Sequence, residues 1–240
     1  MIKNNHKQNI LSYMKDLACR HSLWNIFSSL IEIMAISISN SVDKRNFEER
    51  EKRYLQEISN YNEKEIQLIS KIFAEIILAM EEDPADILGT IYNEMQLHNK
   101  WTGQFFTPMQ ICKAMAGIIL SDIESTIKKK GYITVLEPAC GGGATIIGLA
   151  VEMRNKGINY QQKMLVHCVD IDYKAVAMTY IQLSLLGVSA VVVHGDSLSQ
   201  KVYDTWYTPM YFINGWEQRL HLEKRLDEIK RIFNQISKAS

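Results

Sequence analysis

The chain has only four prolines and four cysteines in 240 residues, and it carries no net charge. Cys19, Cys112, Cys140 and Cys168 are far apart and form no Cys-x-x-Cys pair, so neither a zinc site nor a disulfide framework is expected. Reduced thiols in a cytoplasmic protein are the plain reading. The 27 basic residues balance the 27 acidic ones. Composition therefore gives no electrostatic argument for nucleic acid, although a local patch or a partner subunit can supply the charge. The first ten residues are polar and unlike a signal peptide. The most apolar stretch, Ser22–Ser39, is interrupted by Asn25, Ser28, Ser29, Glu32 and Ser37, which predicts a buried amphipathic helix and no membrane span. There is no internal repeat, no low-complexity tract and no Gly-x-Gly-x-x-Gly fingerprint of a dinucleotide site.

What is present divides near residue 100. Residues 1–100 predict a helical domain. Leu23, Phe27, Leu30 and Met34 recur at helical spacing, and Asp43–Glu57 is a run of mixed charge that reads as a solvated helical face or linker. Asn62 with Glu65 predicts a capping box, ahead of a helix burying Ile66, Ile69, Phe73, Ile77 and Met80. Asp83-Pro84 predicts the start of a further helix through Leu88, Ile91 and Met95. Thr107-Pro108 predicts another, with Ile111, Met115, Ile118 and Ile119 on its apolar side. Strand and helix then alternate, with strands at Ile133–Leu136, Met164–Val169 and Ser189–His194 and helices at Ala144–Arg154 and Tyr173–Leu186. That βαβαβ series implies a parallel sheet, in a domain taken as residues 101–216. Trp206–Trp216 is aromatic and irregular. Residues 217–240 predict a C-terminal amphipathic helix, with Leu222, Leu226, Ile229, Phe233 and Ile236 as a seam for the core or for a second copy.

Ligands of open parallel sheets bind at the carboxyl ends of the strands. Here those ends carry Glu137, Asp170 and Asp196, and the loop Pro138-Ala139-Cys140-Gly141-Gly142-Gly143 follows the first. Its glycines let the backbone approach a ligand closely. An acid ahead of such a loop suits a zwitterionic or cationic ligand better than a phosphate. Asp170 is placed to accept hydrogen bonds from ribose hydroxyls, and Asp196 from an adenine amino group. The plainer alternative is that each acid only caps the helix or turn after its strand.

Four motifs occur in order: Gly103-Gln104-Phe105-Phe106-Thr107-Pro108, Glu137-Pro138-Ala139-Cys140-Gly141-Gly142-Gly143, Asp170-Ile171-Asp172 and Gly195-Asp196-Ser197-Leu198. Asp86-Ile87-Leu88-Gly89-Thr90-Ile91-Tyr92 precedes them. Over roughly residues 84–200 the chain resembles the methyltransferase subunit of type I restriction–modification systems, a DNA adenine-N6 methyltransferase family. The resemblance implies an α/β fold: a Rossmann-like S-adenosylmethionine-dependent methyltransferase core, its sheet truncated, behind the N-terminal helical domain. It implies that Thr107 and Pro108 contact the methionine end of the cofactor. Glu137, Ala139 and Gly141 then surround its amino-acid and sulfonium part, Asp170 holds the ribose, Ile171 packs on the adenine, and Asp196 and Leu198 complete the adenine site. Phe105 and Phe106 have core packing as an alternative.

The family's catalytic Asn (or Asp)-Pro-Pro-Tyr (or Phe) is absent. The nearest match is Thr208-Pro209-Met210-Tyr211, twelve residues after Asp196. Two readings stand side by side. In one, the Thr208 hydroxyl and Pro209 carbonyl accept the adenine amino protons and Tyr211 stacks on a base flipped out of the duplex. In the other, Thr208–Tyr211 is an ordinary turn, and the chain is a degenerate cofactor-binding regulatory or assembly protein. Trp206, Tyr207, Tyr211, Phe212 and Trp216 likewise offer either a base-stacking surface or a cap on the core. The expected partners are DNA, reached through a separate specificity subunit, and a second copy through the last helix, with no membrane and no metal.

Overall fold

The computed structural model describes residues 4–95 and 107–239, so Gly103–Phe106 of the first motif lie outside the described residues. Among the described residues the fold is mixed α/β. Five helices come first: α1 (Asn4–Leu17), α2 (Leu23–Val42), α3 (Phe47–Ile58), α4 (Glu63–Glu82) and α5 (Ile87–Glu94). Then follow α6 (Met109–Lys130), β1 (Ile133–Glu137), α7 (Ala144–Asn155), the short α8 (Tyr160–Lys163), β2 (Met164–Asp170), α9 (Tyr173–Leu186), β3 (Ser189–Asp196), β4 (Lys201–Tyr207), α10 (Pro209–Ile213) and α11 (Trp216–Ala239). The four strands form one sheet in the order β1-β2-β3-β4. β1, β2 and β3 are parallel, whereas β4 runs antiparallel to β3.

The three predicted strands are present and start where expected, but run one or two residues further, to include the acids Glu137, Asp170 and Asp196. β4 was not expected. A turn after Asp196, with Gln200 at φ 58°, returns the chain along β3 and puts Trp206 in the main core and Tyr207 on the opposite sheet face. The stretch read as irregular from Trp206 onward is thus the end of an edge strand followed by α10.

The helical segment and the sheet share one core. Phe27, Leu30 and Met34 of α2, Ile72 and Ile76 of α4, and Ile87 and Leu88 of α5 belong to the same buried cluster as Val166, Ile181 and Trp206. The division at residue 100 is therefore one of secondary structure, not of packing. Helix α2 is the one described helix long and apolar enough to cross a membrane, and most of its apolar side chains lie in this core, with Trp24 exposed. The capping box at Asn62 and Glu65 is present. Helix α4 buries Ile72 and Ile76, while the expected Ile77 is exposed. Asp83 closes α4, and the cap of α5 is Asp86, whose carboxylate accepts from the Gly89 N–H. The apolar side expected for α6 is overturned: Cys112, Ala116, Leu120 and Ile123 are buried, and Ile111, Met115, Ile118 and Ile119 are exposed.

The charged run Asp43–Glu57 is also not a plain solvated face. Arg50 is 1% exposed. Its guanidinium lies 3.9 Å from the centre of the Trp206 ring and donates to the Thr205 carbonyl at 2.9 Å and the Ser39 hydroxyl at 2.6 Å. Asp43 and Asp204 flank it at 3.5 and 3.4 Å. One buried cation thus fastens α2 and α3 to β4. Removing it leaves the Thr205 carbonyl and the Ser39 hydroxyl short of a partner, while Asp43 keeps Arg45 at 2.9 Å, and unsatisfied buried groups cost about 1–3 kcal/mol each. Arg50→Ala is expected to lower the unfolding free energy by that order, read as a lower urea midpoint, and an unchanged midpoint would contradict this role.

Candidate functional site

The registers fix the strand tips. Glu137 pairs with Cys168, and Asp170 pairs with His194. Each tip therefore stands about two residues beyond its neighbour. With strands roughly 4.8 Å apart and about 3.3 Å per residue, Glu137, Asp170 and Asp196 form a rising line roughly 16 Å long. A line of that length fits an elongated ligand.

The glycine loop is held from several sides. The Gly141 N–H donates to Asp170 Oδ2 at 2.8 Å, and the Cys140 N–H donates to the Val169 carbonyl at 3.0 Å. Thr179 Oγ1 of α9 donates to the Gly141 carbonyl at 2.7 Å. Gly143 has φ 87°, and a Cβ there would meet that same hydroxyl at 3.1 Å, so glycine is required by both backbone and space. The fully buried Gln182 donates Nε2 to the Gly142 carbonyl at 2.7 Å and to Asp86 Oδ1 at 2.9 Å. Its Oε1 accepts from the Ile87 and Leu88 N–H groups at 2.7 and 3.1 Å. The start of α5 and the glycine loop are thus bound to one amide. Burial pushes the Asp86 carboxyl up, against its bonds from Gln182 and Gly89. Beneath the loop, contact with Cys140 and then burial push the Cys168 thiol up, so two cysteines distant in sequence lie together as free thiols.

The acids keep capacity for a ligand. Glu137 accepts from Thr145 Oγ1 at 2.9 Å and weakly from the Ala139 N–H at 3.4 Å. Asp170 accepts from Gly141 and, through Oδ1, from the Asp172 N–H at 2.9 Å. Each carboxylate oxygen has a second lone pair. The Ser199 hydroxyl, followed by the Ser199 and Leu198 N–H groups, holds the exposed Asp196 carboxyl below its usual range, so it is anionic throughout the neutral region. Ile171 is 64% and Leu198 95% exposed beside these acids, which is unusual for large aliphatic side chains and suits the two faces of a flat ring. Thr107 and Pro108 are exposed at the start of α6. One turn on, burial and then the field of Asp86 push the Cys112 thiol up.

The second expected group does not join them. Because β4 is antiparallel, it carries the chain back to the amino end of β3. Thr208 is fully buried there. Its N–H donates to the Ala190 carbonyl at 3.0 Å, and its hydroxyl accepts from the Ala190 N–H at 2.8 Å and donates to the Val188 carbonyl at 2.7 Å. Ala190 and Asp196 are six residues apart on β3, about 20 Å. Pro209 occupies the first turn of α10, and Tyr211 is buried with Tyr132, Leu165, Val191 and Trp216. Thr208, Pro209 and Tyr211 therefore lie at the amino end of β3, away from the Asp196 tip, because β4 reverses direction, and the structure does not bring them together with the three acids. Trp206, Tyr211 and Trp216 are buried too, so this aromatic group caps the core and forms no stacking surface. Sequence reasoning missed Gln182 and Thr179, since a polar residue inside an apolar helix gives no sign of which loop it reaches.

An open α/β sheet with a glycine loop and acids along its carboxyl edge offers a ligand crevice at the strand tips. The model of the N-6 DNA methylase family matches residues 83–219, more than half of the chain, and the chain belongs to that family. No curated protein matches it. A solved structure from Listeria monocytogenes, assigned to the class I S-adenosylmethionine-dependent methyltransferases, is similar at 16% identity and a TM-score of 0.44. The similarity covers 84% of this chain and 56% of that one, so this chain spans about half the length of that structure.

Two substitutions separate these roles. Thr208→Val loses two buried hydrogen bonds and is expected to lower stability by about 1–3 kcal/mol while leaving the amide signals of Gly141–Gly143 in place. Asp86→Asn keeps an acceptor at Oδ1 and removes a buried charge. The raised carboxyl of Asp86 makes the wild type lose stability as pH rises through its native titration range. The Asn variant is expected to match or exceed the wild type in melting temperature at pH 7, with the gap closing in acid.

Proposed function

We propose that the chain is the cofactor-holding part of an adenine-N6 DNA methyltransferase and binds S-adenosylmethionine along the tips of β1, β2 and β3. The single observation that carries this reading is the joining of Asp170 to Gly141. It places a carboxylate directly under a glycine loop that only small, close-approaching backbone can form. In this reading Asp170 accepts from the ribose hydroxyls, and Asp196 accepts from the adenine amino group. Ile171 and Leu198 cover the ring, while Glu137 faces the cationic amino-acid end and Thr107-Pro108 close that end. When bound, S-adenosylmethionine supplies a methyl group on a sulfonium centre.

Transfer to adenine needs more than a methyl donor. The exocyclic nitrogen shares its lone pair with the purine ring, so its two N–H groups must be held by acceptors, with the base flipped out of the duplex. Thr208–Tyr211 cannot supply those acceptors from about 20 Å away. The reading is therefore of a subunit that binds the cofactor by itself and methylates DNA only in an assembly, with sequence choice left to a partner.

Calorimetric titration with S-adenosylmethionine tests the reading. The purified chain is expected to bind it, and Asp170→Ala to bind about 100-fold or more weakly, since charge-assisted hydrogen bonds contribute about 1.5–3 kcal/mol each. Failure of the wild type to bind would remove the proposal.

A further inference from the structure

We propose that Gln182 is a positioning residue that couples the crevice to helix α5. The first turn of α5 holds the glycine loop in its ligand-binding shape, and a ligand seated on the loop in turn steadies α5. The coupling rests, for its ligand, on the reading of the crevice as an S-adenosylmethionine site. It gives a role to Asp86-Ile87-Leu88-Gly89-Thr90-Ile91-Tyr92, a stretch that the strand tips leave unused.

A glutamine amide has two N–H groups and two acceptor lone pairs. Gln182, fully buried in α9, uses all four. Its Oε1 accepts from the Ile87 N–H at 2.7 Å and the Leu88 N–H at 3.1 Å. Its Nε2 donates to the Gly142 carbonyl at 2.7 Å and to Asp86 Oδ1 at 2.9 Å. These neighbours also fix which end of the amide is which. Two donors face the oxygen and two acceptors face the nitrogen, so a reversed amide would oppose all four. A planar group with no spare capacity cannot shift toward one set of partners without losing the other. Helix α5 and the glycine loop therefore hold each other through one side chain inside the core.

On the loop side the path to the crevice is short. Gly142 follows Gly141, whose N–H donates at 2.8 Å to Asp170, the carboxylate given to the ribose. Thr179, one turn before Gln182, donates to the Gly141 carbonyl at 2.7 Å, so α9 grips two successive peptides of the loop. If the Gly142 carbonyl turns away from α9, the Gly141 N–H turns away from Asp170.

On the α5 side the pivot is Asp86. Its Oδ1 accepts from Gln182 and from the Gly89 N–H, both at 2.9 Å. A Cβ at Gly89 would stand 2.1 Å from Asp86 Oδ2 and 2.7 Å from its Cγ, so the carboxylate would have to leave its place. Gly89 is inside a helix, where alanine is intrinsically the better residue. Local propensity thus predicts that Gly89→Ala improves α5, whereas the network predicts that it loosens the crevice. Coupling between two places is reciprocal. Affinity lost by disturbing α5 must reappear as protection of α5 when the ligand binds. A side chain that only supports the core transmits nothing in that direction.

Hydrogen exchange and calorimetric titration with S-adenosylmethionine test this on the full chain, as wild type, Gln182→Met and Gly89→Ala. In the wild type the ligand is expected to slow exchange of the Leu88 amide about tenfold or more. The Glu65 amide, capped by the Asn62 side chain at the start of α4, serves as the control and is expected to change little. Gly89→Ala is expected to bind the ligand about tenfold more weakly and, without ligand, to exchange faster at Gly141 and Gly143. Gln182→Met is expected to do the same more strongly. Equal affinity and equal loop exchange in Gly89→Ala and wild type would overturn the proposal. So would protection of Leu88 no greater than that of Glu65. If Gln182→Met does not fold, Gly89→Ala and the wild-type amides decide the matter without it. If the wild type does not bind S-adenosylmethionine, the cofactor reading falls, and the ligand-free exchange of Gly141 and Gly143 in Gly89→Ala still decides the coupling.

Discussion

The buried amide of Gln182 is the constraint on which the site depends. A helix start leaves N–H groups without partners, and a glycine loop leaves carbonyls without partners. Gln182 meets both needs at once: its oxygen takes the Ile87 and Leu88 N–H groups, and its nitrogen serves the Gly142 carbonyl and Asp86. Unsatisfied buried groups cost about 1–3 kcal/mol each, so the four contacts stand or fall together. The consequence is functional as well as energetic. Gly141–Gly143 have no side chains with which to hold themselves, and their shape is imposed by Thr179 and Gln182 of α9 together with Asp170 of β2. The segment from Asp86 to Tyr92 is then explained physically, since its cap belongs to the same network.

Arg50 does for the helical segment what Gln182 does for the loop. It lies over Trp206 and bonds to the Thr205 carbonyl, so it joins α3 to the one strand that reverses direction. Helices α2, α4 and α5 meanwhile complete the core against α9. The sheet is thus closed at β4, where charge, a bulge at His194/Gly195 and a buried cation finish the edge. At β1 none of these devices appears. The asymmetry between the two edges is a property of the residues themselves: Lys201 and Asp204 against Thr134 and Leu136.

Much of this was legible in the residues. Three β-branched runs, each ending in an acid and followed by an amphipathic helix, determine β1, β2 and β3 and place Glu137, Asp170 and Asp196 at their tips. Local rules suffice there because periodicity, caps and turns all act within a few positions. Arg50 was hidden because a buried cation looks like any other in a charged run until its acceptor on β4, the Thr205 carbonyl 155 residues away, is known. The faces of α6 were hidden for a different reason: this helix has two apolar sides, and sequence cannot say which one the chain itself covers. Thr208 misled because spacing from Asp196 was taken to mean position. Spacing measures distance along the chain, and direction in a sheet depends on pairing.

That last point reaches furthest. In a sheet whose ligand site lies at the carboxyl ends, a strand contributes to the site only if it runs with the others. β4 runs against them, so everything after it is carried to the amino ends, whatever its sequence. Thr208 shows the outcome: its hydroxyl, the group that resembled an acceptor for an amino proton, is spent on the Val188 carbonyl and Ala190 N–H, extending the ladder beyond β4. The same topology leaves β1, the strand that leads into the glycine loop, as the neighbour of any further parallel strand.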